Sequence, residues 1–183
     1  MRLILASQSP RRKEILTQAG FNFEIISADI DETVLPGELP DALVLRLAKE
    51  KAEAVFSGNT DATIIAADTI VCIGKRILNK PVDMKEAREM IEYLSGKTHR
   101  VLTAVAVFKD GEKETWISES QVTFNVLSEE TIDYYMSIAS PLDKAGAYAI
   151  QEHEELLVEK FEGLYSNVVG LPIEELVQRL PLQ

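Results

Sequence analysis

A run of apolar residues at positions 62–73 constrains the fold more than any other stretch of this chain. It reads ATIIAADTIVCI, and Asp68 with Thr69 is its main polar interruption. Such a run predicts a central β-strand that is covered on both faces. A buried carboxylate without a partner is unfavourable, so Asp68 must be paired, bound to a metal ion or exposed at a break in the strand. We therefore interpret Asp68 and Thr69 as part of a functional site.

The beginning of the chain predicts a short strand followed by a loop and a helix. Residues 3–6 are Leu, Ile, Leu and Ala, which is typical of a buried strand. Ser9 followed by proline is a favourable helix start, so Ser7, Ser9, Arg11 and Arg12 are brought to a helix N-terminus. Free N–H groups and the helix dipole favour a bound phosphate there. Taken alone, the motif is equally compatible with a capped surface helix carrying two solvated arginines.

A cluster of carboxylates and a pair of lysines add further candidates. Asp29, Asp31 and Glu32 lie close together before a Pro-Gly turn. Such a cluster is common in solvated acidic turns, but Mg²⁺ also prefers carboxylate oxygens and is often held by one or two of them plus substrate phosphate. Lys49 and Lys51 both lie in the helix predicted after this turn. They point in different directions, and spacing alone does not decide which of them faces a cleft.

The remaining pattern predicts an α/β fold with a mixed sheet. An Asp-Gly turn at residues 110–111 joins two β-rich segments into an antiparallel hairpin, so the sheet cannot be purely parallel. We expect His99 and His153 at the surface, because neither has a partner at metal-ligand spacing. Further expectations are strands at 21–26 and 156–161, a loop at 162–167, a buried helix face of Leu43, Leu47, Ala54 and Val55, and a strand face of Val122, Phe124 and Val126.

Composition narrows the classes of protein that remain. The chain has 183 residues and a formal net charge of −11, which argues against a non-specific grip on nucleic acid. The single cysteine, Cys72, lies in the apolar run and is expected to be a buried, inert thiol. The sequence contains neither a signal pattern nor a stretch long enough for a membrane span, so we expect a cytoplasmic protein. Without linkers or repeats, residues 1–183 are expected to form one domain.

The polar residues that interrupt clearly predicted strands and helices have side chains suited to one kind of chemistry. Cations can neutralise phosphate charge, one carboxylate can hold Mg²⁺, and another can orient or deprotonate water, which together favour metal-assisted hydrolysis of a polyphosphate. No cysteine or serine lies beside a histidine as an activated nucleophile, so direct attack by water is the simpler mechanism. The set comprises Ser7, Ser9, Arg11, Arg12, Glu32, Lys51 (or Lys49), Asp68, Thr69, Lys80 and Gln151.

The sequence resembles the Maf family of nucleoside triphosphate pyrophosphatases over almost its full length. Eight blocks carry the resemblance: Ser7-x-Ser9-Pro10-Arg11-Arg12, Asp31-Glu32, Arg46-Leu47-Ala48-x-x-Lys51-Ala52, Ala67-Asp68-Thr69-x-Val71, Lys80-Pro81, Ser95-Gly96-Lys97-Thr98-His99, Asp143-Lys144-Ala145-Gly146-Ala147-Tyr148-x-Ile150-Gln151 and Tyr165-Ser166-Asn167-Val168-Val169-Gly170-Leu171-Pro172. The resemblance implies cleavage between the α and β phosphates, giving a nucleoside monophosphate and pyrophosphate, with a divalent cation (Mg²⁺ or Mn²⁺). It also implies an elongated mixed β-sheet flanked by helices, in two lobes with a central cleft, a fold shared with inosine triphosphate pyrophosphatases.

The resemblance also implies roles for individual residues. Asp68 matches the proton acceptor, while Arg12, Thr69 and Gln151 match positions that set base preference and are similar to the branch acting on dTTP and UTP. The resemblance selects Lys51 over Lys49. On this basis Asp68, Lys51 and Lys80 are the candidate catalytic residues. Glu32 and Asp68 are the candidate metal ligands.

Two positions depart from the family pattern near the expected base pocket. Glu152 stands where the family often has glycine, and Leu164 stands where a small or polar residue is common. These two positions leave open a nucleotide preference that is shifted from dTTP and UTP, for example toward a modified pyrimidine nucleotide.

The implied partner is a small-molecule nucleotide, and we expect binding neither to a nucleic acid polymer nor to a membrane. A homodimer is one open option for the assembly. The implied role is house-cleaning of the nucleotide pool. An alternative of a different class is a nucleotide-binding regulator of cell division, the role from which the family takes its name. A pure binder needs neither Asp68 nor a metal carboxylate, which disfavours this alternative as the only function. A phosphatase that releases orthophosphate is a third, weaker hypothesis.

Overall fold

The computed structural model describes residues 2–181 as alternating strands and helices. The strands are β1 (Leu3–Leu5), β2 (Glu24–Ile25), β3 (Thr63–Ile73), β4 (Arg76–Leu78), β5 (Thr98–Lys109), β6 (Glu112–Phe124) and β7 (Val158–Glu162). The helices are α1 (Pro10–Gln18), α2 (Pro40–Phe56), α3 (Met84–Leu94), α4 (Glu129–Ile138), α5 (Glu154–Leu157), α6 (Tyr165–Val169) and α7 (Ile173–Arg179). Two short 3₁₀ turns, Pro141–Asp143 and Ala145–Ala147, follow α4. Within residues 2–181, none of the helices is long and apolar enough to cross a membrane.

The strands form one mixed, seven-stranded sheet with the order β2-β1-β3-β5-β6-β7, and β4 pairs with β3. β1 is parallel to both β2 and β3. The pairs β3/β5, β5/β6 and β6/β7 are antiparallel. Asp110 and Gly111 both adopt positive φ at the β5–β6 turn, as a two-residue hairpin of this kind requires. The predicted mixed sheet flanked by helices is confirmed.

Strand β3 has a gap in its pairing along one edge. β5 pairs with residues 64–72 of β3 and therefore occupies one whole edge. On the other edge, β1 pairs with residues 63–65 and β4 pairs with residues 71–73. Within the described part of the chain, no strand pairs with residues 66–70 on that edge. Asp68 and Thr69 lie inside this gap.

Hydrophobic clusters cover both faces of β3, as expected for a central strand. Ile64, Ala66 and Cys72 pack with the buried side of α2 on one face. Ile65 and Ala67 pack on the other face with residues of β1, α1 and α7. A third cluster joins α3 and α4 to the far ends of β5 and β6 and forms the core of a second lobe. Cys72 is fully buried, as predicted.

Several local predictions were wrong. β2 is shorter than the predicted strand at 21–26, and residues 154–157 form α5, so the strand predicted at 156–161 begins later, at Val158. The loop predicted at 162–167 contains the start of α6. Ala54 is exposed, and Ala48 and Ala52 face the sheet instead, one helical turn apart.

Val126 and His99 also differ from expectation. Val126 is 88% exposed, because β6 ends at Phe124 after an irregularity in its pairing with β7, and the alternation stops there. His99 is buried, not at the surface: its Nε2 lies 2.7 Å from the Tyr148 hydroxyl, and its ring packs edge-on against Phe124. His153 is half-buried, between the two classes.

Candidate active site

One cleft of about 520 Å³ opens at the gap in β3 and draws its walls from both lobes. The β1–α1 loop, α2 and the centre of β3 line one side. The segment after β4 and the 3₁₀ region before α5 line the other. All ten predicted site residues line this cleft: Ser7, Ser9, Arg11, Arg12, Glu32, Lys51, Asp68, Thr69, Lys80 and Gln151.

Lys51 lies between two carboxylates at the centre of the cleft. Its Nζ is 2.6 Å from Asp68 Oδ1 and 2.6 Å from Glu32 Oε1. Asp68 is buried, and its neighbouring ammonium supplies the partner that a carboxylate in an apolar strand requires. Burial alone would raise the pKa of Glu32, but the hydrogen bond and charge of Lys51 outweigh it, so the pKa is lowered. Lys49 is exposed and pairs with Glu53 on the outside of α2.

Arg12 projects from α1 into the cleft and is fixed by neutral oxygens. Its Nε donates to Gly170 O at 2.8 Å, Nη1 to Ser7 Oγ at 3.2 Å and Nη2 to Thr69 Oγ1 at 3.0 Å. A guanidinium has five N–H groups, so two remain for a ligand. Burial lowers the pKa of Arg12, yet an arginine stays protonated at neutral pH. The cleft therefore holds a preformed positive group.

Thr69 connects Arg12 to a buried network beneath the cleft. Its Oγ1 lies 2.9 Å from Thr103 Oγ1, and Thr103 donates to the carbonyl oxygen of Asn167 at 2.8 Å. The Asn167 side chain donates to Val101 O at 3.1 Å and Ser120 Oγ at 2.8 Å. Thr103 and Asn167 are fully buried, so this network anchors α6 against β5 and β6.

A second set of charges lies on the opposite wall. Arg11 Nη1 is 3.7 Å from Asp143 Oδ2. Lys144 is buried, and its Nζ donates to Ser140 O at 2.6 Å and to Asp143 Oδ1 at 3.0 Å. Burial acts to raise the pKa of Asp143, but Lys144 and Arg11 lower it overall. Lys80 and Gln151 are exposed at the mouth of the cleft.

Some residues of the cleft were missed as site residues by sequence reasoning. Lys144 and Tyr148 line it, although they were noted only within a motif block. Tyr148 is buried and its pKa is raised by that burial. Thr103 was not singled out because it is one polar residue in an alternating strand, and only its contact with Thr69 distinguishes it. No sequence pattern predicts that pairing across β3 and β5.

The two positions that depart from the family pattern do not line the cleft. Glu152 lies behind it, with Oε2 3.4 Å from Lys144 Nζ. Leu164 N–H donates to Ser120 Oγ at 3.1 Å, and its carbonyl oxygen accepts from the same hydroxyl at 3.0 Å. Leu164 therefore helps to hold α6, while Glu152 contacts Lys144, which does line the cleft.

The carboxylates of the cleft suit a cation that takes its other ligands from a substrate. Glu32 Oε1 and Asp68 Oδ1 both lie 2.6 Å from Lys51 Nζ, so the two carboxylates converge on one point of the cleft. Among residues 2–181, no group of three or more His, Cys, Asp or Glu side chains is arranged to hold a metal on its own. Mg²⁺ is commonly bound by one or two carboxylates plus substrate phosphates and water. The residues present fit that type of site.

Comparisons with known proteins agree with this geometry. The family model for "Maf-like protein" matches residues 2–182. A dTTP/UTP pyrophosphatase from Bacillus anthracis is 47% identical over 179 residues, covering 98% of this chain and 94% of that protein. A dTTP/UTP pyrophosphatase from Bacillus cereus (strain ATCC 10987 / NRS 248) is 46% identical, covering 98% of this chain and 88% of that protein.

The fold is also found in a solved structure. The Staphylococcus aureus Ham1 protein superposes with a TM-score of 0.50 and 13% identity, covering 68% of this chain and 72% of that one. At this identity the likeness concerns the fold alone. From the family match and the long alignments to its relatives, the chain belongs to the family of Maf-like proteins.

Proposed function

We propose that this protein is a nucleoside triphosphate pyrophosphatase that hydrolyses dTTP and UTP to the monophosphate and pyrophosphate. The observation that carries the proposal is the Glu32–Lys51–Asp68 cluster, which places two carboxylates around one ammonium in a cleft that also holds Arg12. The names of the Bacillus relatives support the choice of reaction and substrates. We further propose that both lobes act as one catalytic domain, because each contributes to the walls of the cleft.

In this proposal the residues around β3 carry out the chemistry. Asp68 accepts a proton from the attacking water, and the Lys51 ammonium holds this carboxylate in place at 2.6 Å. Lys80 and Arg11 neutralise the negative charge that builds up on the leaving pyrophosphate. Ser7 and Ser9, at the N-terminus of α1, donate to phosphate oxygens together with free backbone N–H groups.

Base recognition is assigned to Arg12, Thr69 and Gln151. All three line the cleft, and Arg12 is already hydrogen-bonded to Thr69. The amide of Gln151 has both donors and an acceptor, which suits a pyrimidine edge that carries both kinds of group. Glu152 follows Gln151 in the chain and contacts Lys144. We expect this contact to shift the nucleotide preference toward a modified pyrimidine nucleotide.

A divalent cation, Mg²⁺ or Mn²⁺, is proposed as cofactor, with Glu32 and Asp68 as its protein ligands. Such an ion would supply Lewis-acid stabilisation of the phosphate charge. The Lys51 ammonium lies 2.6 Å from one oxygen of each carboxylate and reduces their repulsion, so the other oxygen of each carboxylate would hold the ion.

The proposed setting is the cytoplasm, where free nucleotides are present, with house-cleaning of the nucleotide pool as the role. A homodimer is proposed for the assembly, and sedimentation would test it. The partner is a small nucleotide, because a chain with a net charge of −11 repels a phosphate polymer except at local cationic clefts.

A product assay tests the proposed function. The protein is incubated with dTTP, UTP, CTP or methylated GTP and with Mg²⁺ or Mn²⁺, and pyrophosphate is separated from orthophosphate. Pyrophosphate from dTTP and UTP is the expected result. Orthophosphate as the product would contradict the reaction, and tight nucleotide binding without any product would favour the regulator of cell division instead.

A further inference from the structure

The hydrogen bonds beneath Thr69 determine where its hydroxyl proton goes. Thr103 Oγ1 is 2.8 Å from the carbonyl oxygen of Asn167, and a carbonyl oxygen can only accept. The single proton of Thr103 is therefore used in that bond. The bond of 2.9 Å between the two threonine hydroxyls must then be donated by Thr69.

The hydrogen bond from Arg12 to Thr69 is consistent with this donor direction. Arg12 Nη2 donates to Thr69 Oγ1 at 3.0 Å, and a guanidinium cannot accept. Thr69 thus gives its only proton to Thr103 and receives one from Arg12. A hydroxyl oxygen has two lone pairs, so one acceptor position is left, on a side chain that lines the cleft.

We propose that Thr103 is a positioning residue that turns the Thr69 hydroxyl into a pure hydrogen-bond acceptor, and that this acceptor selects a pyrimidine that carries an N–H at ring position N3. This deepens the proposed function and rests on it. Thr103 is fully buried and does not touch the substrate. It acts only by taking the proton that Thr69 would otherwise present to the cleft.

The polarity of Thr69 excludes some of the groups of a nucleotide as its partner. Phosphate oxygens are acceptors, and so are the carbonyl oxygens of a base, so each would face the lone pair of Thr69 unfavourably. The partner must donate. In thymidine and uridine nucleotides the base has a single N–H, at N3, since N1 is bonded to the sugar. Cytosine has an unprotonated nitrogen acceptor at N3.

The N3–H of thymine or uracil is therefore the group that we assign to Thr69. This assignment explains selection without a steric barrier. Uracil and cytosine have nearly the same ring size, but cytosine would place its N3 lone pair against that of Thr69. A site that leaves a polar group unpaired discriminates more strongly than one that loses a methylene contact.

The experiment compares the wild-type protein with Thr103→Val and Thr103→Ser by pyrophosphate release. Valine has nearly the shape of threonine and removes the hydroxyl, so Thr69 can turn its proton toward the cleft, whereas serine keeps the acceptor. The substrates are UTP, CTP, 3-methyl-UTP, which lacks the N3–H, 5-methyl-UTP as a control that retains it, and 3′-deoxy-UTP, which lacks the sugar 3′-hydroxyl. Melting of each variant establishes that it is folded.

The wild-type protein is expected to favour UTP over 3-methyl-UTP and over CTP by about ten- to a hundredfold in kcat/KM, and to accept 5-methyl-UTP. In Thr103→Val the ratio of kcat/KM for UTP to that for CTP should fall at least severalfold because the KM for CTP decreases, and Thr103→Ser should restore the wild-type ratio. A purely structural role for Thr103 would reduce activity on all substrates alike and leave this ratio unchanged.

The two failures are distinguishable. If the wild-type protein releases no pyrophosphate from any nucleotide, the proposed function itself is wrong. If it cleaves UTP and 3-methyl-UTP equally well, or if Thr103→Val keeps the wild-type ratio of UTP to CTP, the reaction stands and the role of Thr103 is overturned. A loss confined to 3′-deoxy-UTP would also overturn it, because Thr69 would then be accepting from the sugar.

Discussion

Asp68 and Thr69 are neighbours in sequence, but their side chains lie on opposite faces of the sheet. Side chains alternate along a strand, so Asp68 points toward α2 and Lys51, while Thr69 points toward α1 and Arg12. One step along β3 thus separates the proposed chemistry from the proposed base recognition. A shift of β3 by one residue would exchange these two environments, so the register of β3 is under strong constraint.

Asp68→Asn tests the proposed proton acceptor. Asparagine keeps the shape and can still accept from Lys51, but it cannot take a proton from water. We expect nucleotide affinity to be kept and kcat to fall by at least about a hundredfold, the usual effect of losing a general base. Pyrophosphate release under saturating substrate and equilibrium binding of the nucleotide measure the two quantities.

A matched control is Asp61→Asn, which removes an exposed carboxylate that pairs with Arg2 at 3.3 Å, away from the cleft. It should leave kcat unchanged, since exposed pairs contribute little. Wild-type turnover in Asp68→Asn would remove Asp68 from the role of base.

Helix α2 positions two parts of the cleft at once. It carries Lys51 on its buried side, and Arg46, five residues earlier, holds the loop that carries Glu32. Arg46 donates to both carboxylate oxygens of Glu38, at 2.6 and 2.8 Å, and to Thr33 O at 3.0 Å. Because this pairing is bidentate, it orients the loop as well as attaching it. The pKa of Glu38 is accordingly lowered to about 2 by its hydrogen bonds to Arg46.

Arg46→Lys should loosen the loop without unfolding the protein. A single ammonium cannot replace the fork of a guanidinium, so Glu32 would be less well placed. We expect kcat/KM to fall by about tenfold, in the range found when supporting partners of a metal ligand are changed. The loss should be larger at low Mg²⁺ concentration, which a titration of activity against Mg²⁺ would measure.

Arg88→Lys is the control for this prediction. Arg88 also pairs with several carboxylates, Glu92, Glu129 and Asp133, but it joins α3 to α4 away from the cleft. Its replacement should leave activity and Mg²⁺ dependence unchanged. Equal losses in both variants would mean that Arg46 acts on general stability and not on the loop.

The sequence predicts strong elements well and their ends poorly. β3, β5, α2 and α3 follow clear patterns, and each is found close to its predicted position. The end of β6 depends on an irregularity in its pairing with β7, a tertiary event that no local pattern contains. The sequence of the short helix α6, YSNVV, predicts a loop because it has a low intrinsic preference for helix. The hydrogen bonds of its buried asparagine, Asn167, stabilise the helix.

The same limit applies to the cleft. Every predicted site residue lines it, because each interrupts an apolar pattern or belongs to a motif block. The roles of these residues stay predictions. The pairing of Thr69 with Thr103 and the burial of Lys144 depend on which strands and turns meet in space. They could therefore not be predicted without the three-dimensional structure.

The core of the α3–α4 lobe contains a buried histidine that links the stability of the fold to pH. In the α3–α4 lobe, His99 is enclosed by Phe124 and Tyr148. Burial lowers the pKa of His99 from 6.5 to about 4. The folded protein therefore keeps this ring neutral under conditions where the unfolded chain would protonate it.

The free energy of unfolding should consequently decrease as the pH falls from about 6.5 to about 4. In this window the unfolded chain binds one more proton at this position than the folded protein, and the total effect is up to about 3 kcal/mol. Urea unfolding at several pH values would measure it. His99→Phe removes the titrating group. The slope of the free energy of unfolding against pH should therefore decrease by about the amount that corresponds to one bound proton.

His153→Asn is the control for this slope, since His153 is half-buried and asparagine tolerates its positive φ of 60°. The slope between pH 4 and 6.5 should change less in this variant than in His99→Phe. An unchanged slope in His99→Phe would mean that other groups account for the acid sensitivity.

The gap beside β3 has a consequence for self-association. An unpaired strand edge offers its backbone groups to any extended chain, which is how strands add to aggregates. Here the open edge spans only residues 66–70 and lies at the base of a cleft between β1 and β4, where the charged groups of Arg12, Lys51 and Asp68 surround it. A chain cannot reach it while the lobes are packed. Separation of the lobes would uncover this open edge of a strand that is apolar apart from Asp68 and two threonines, so aggregation of the partly unfolded protein should begin at β3.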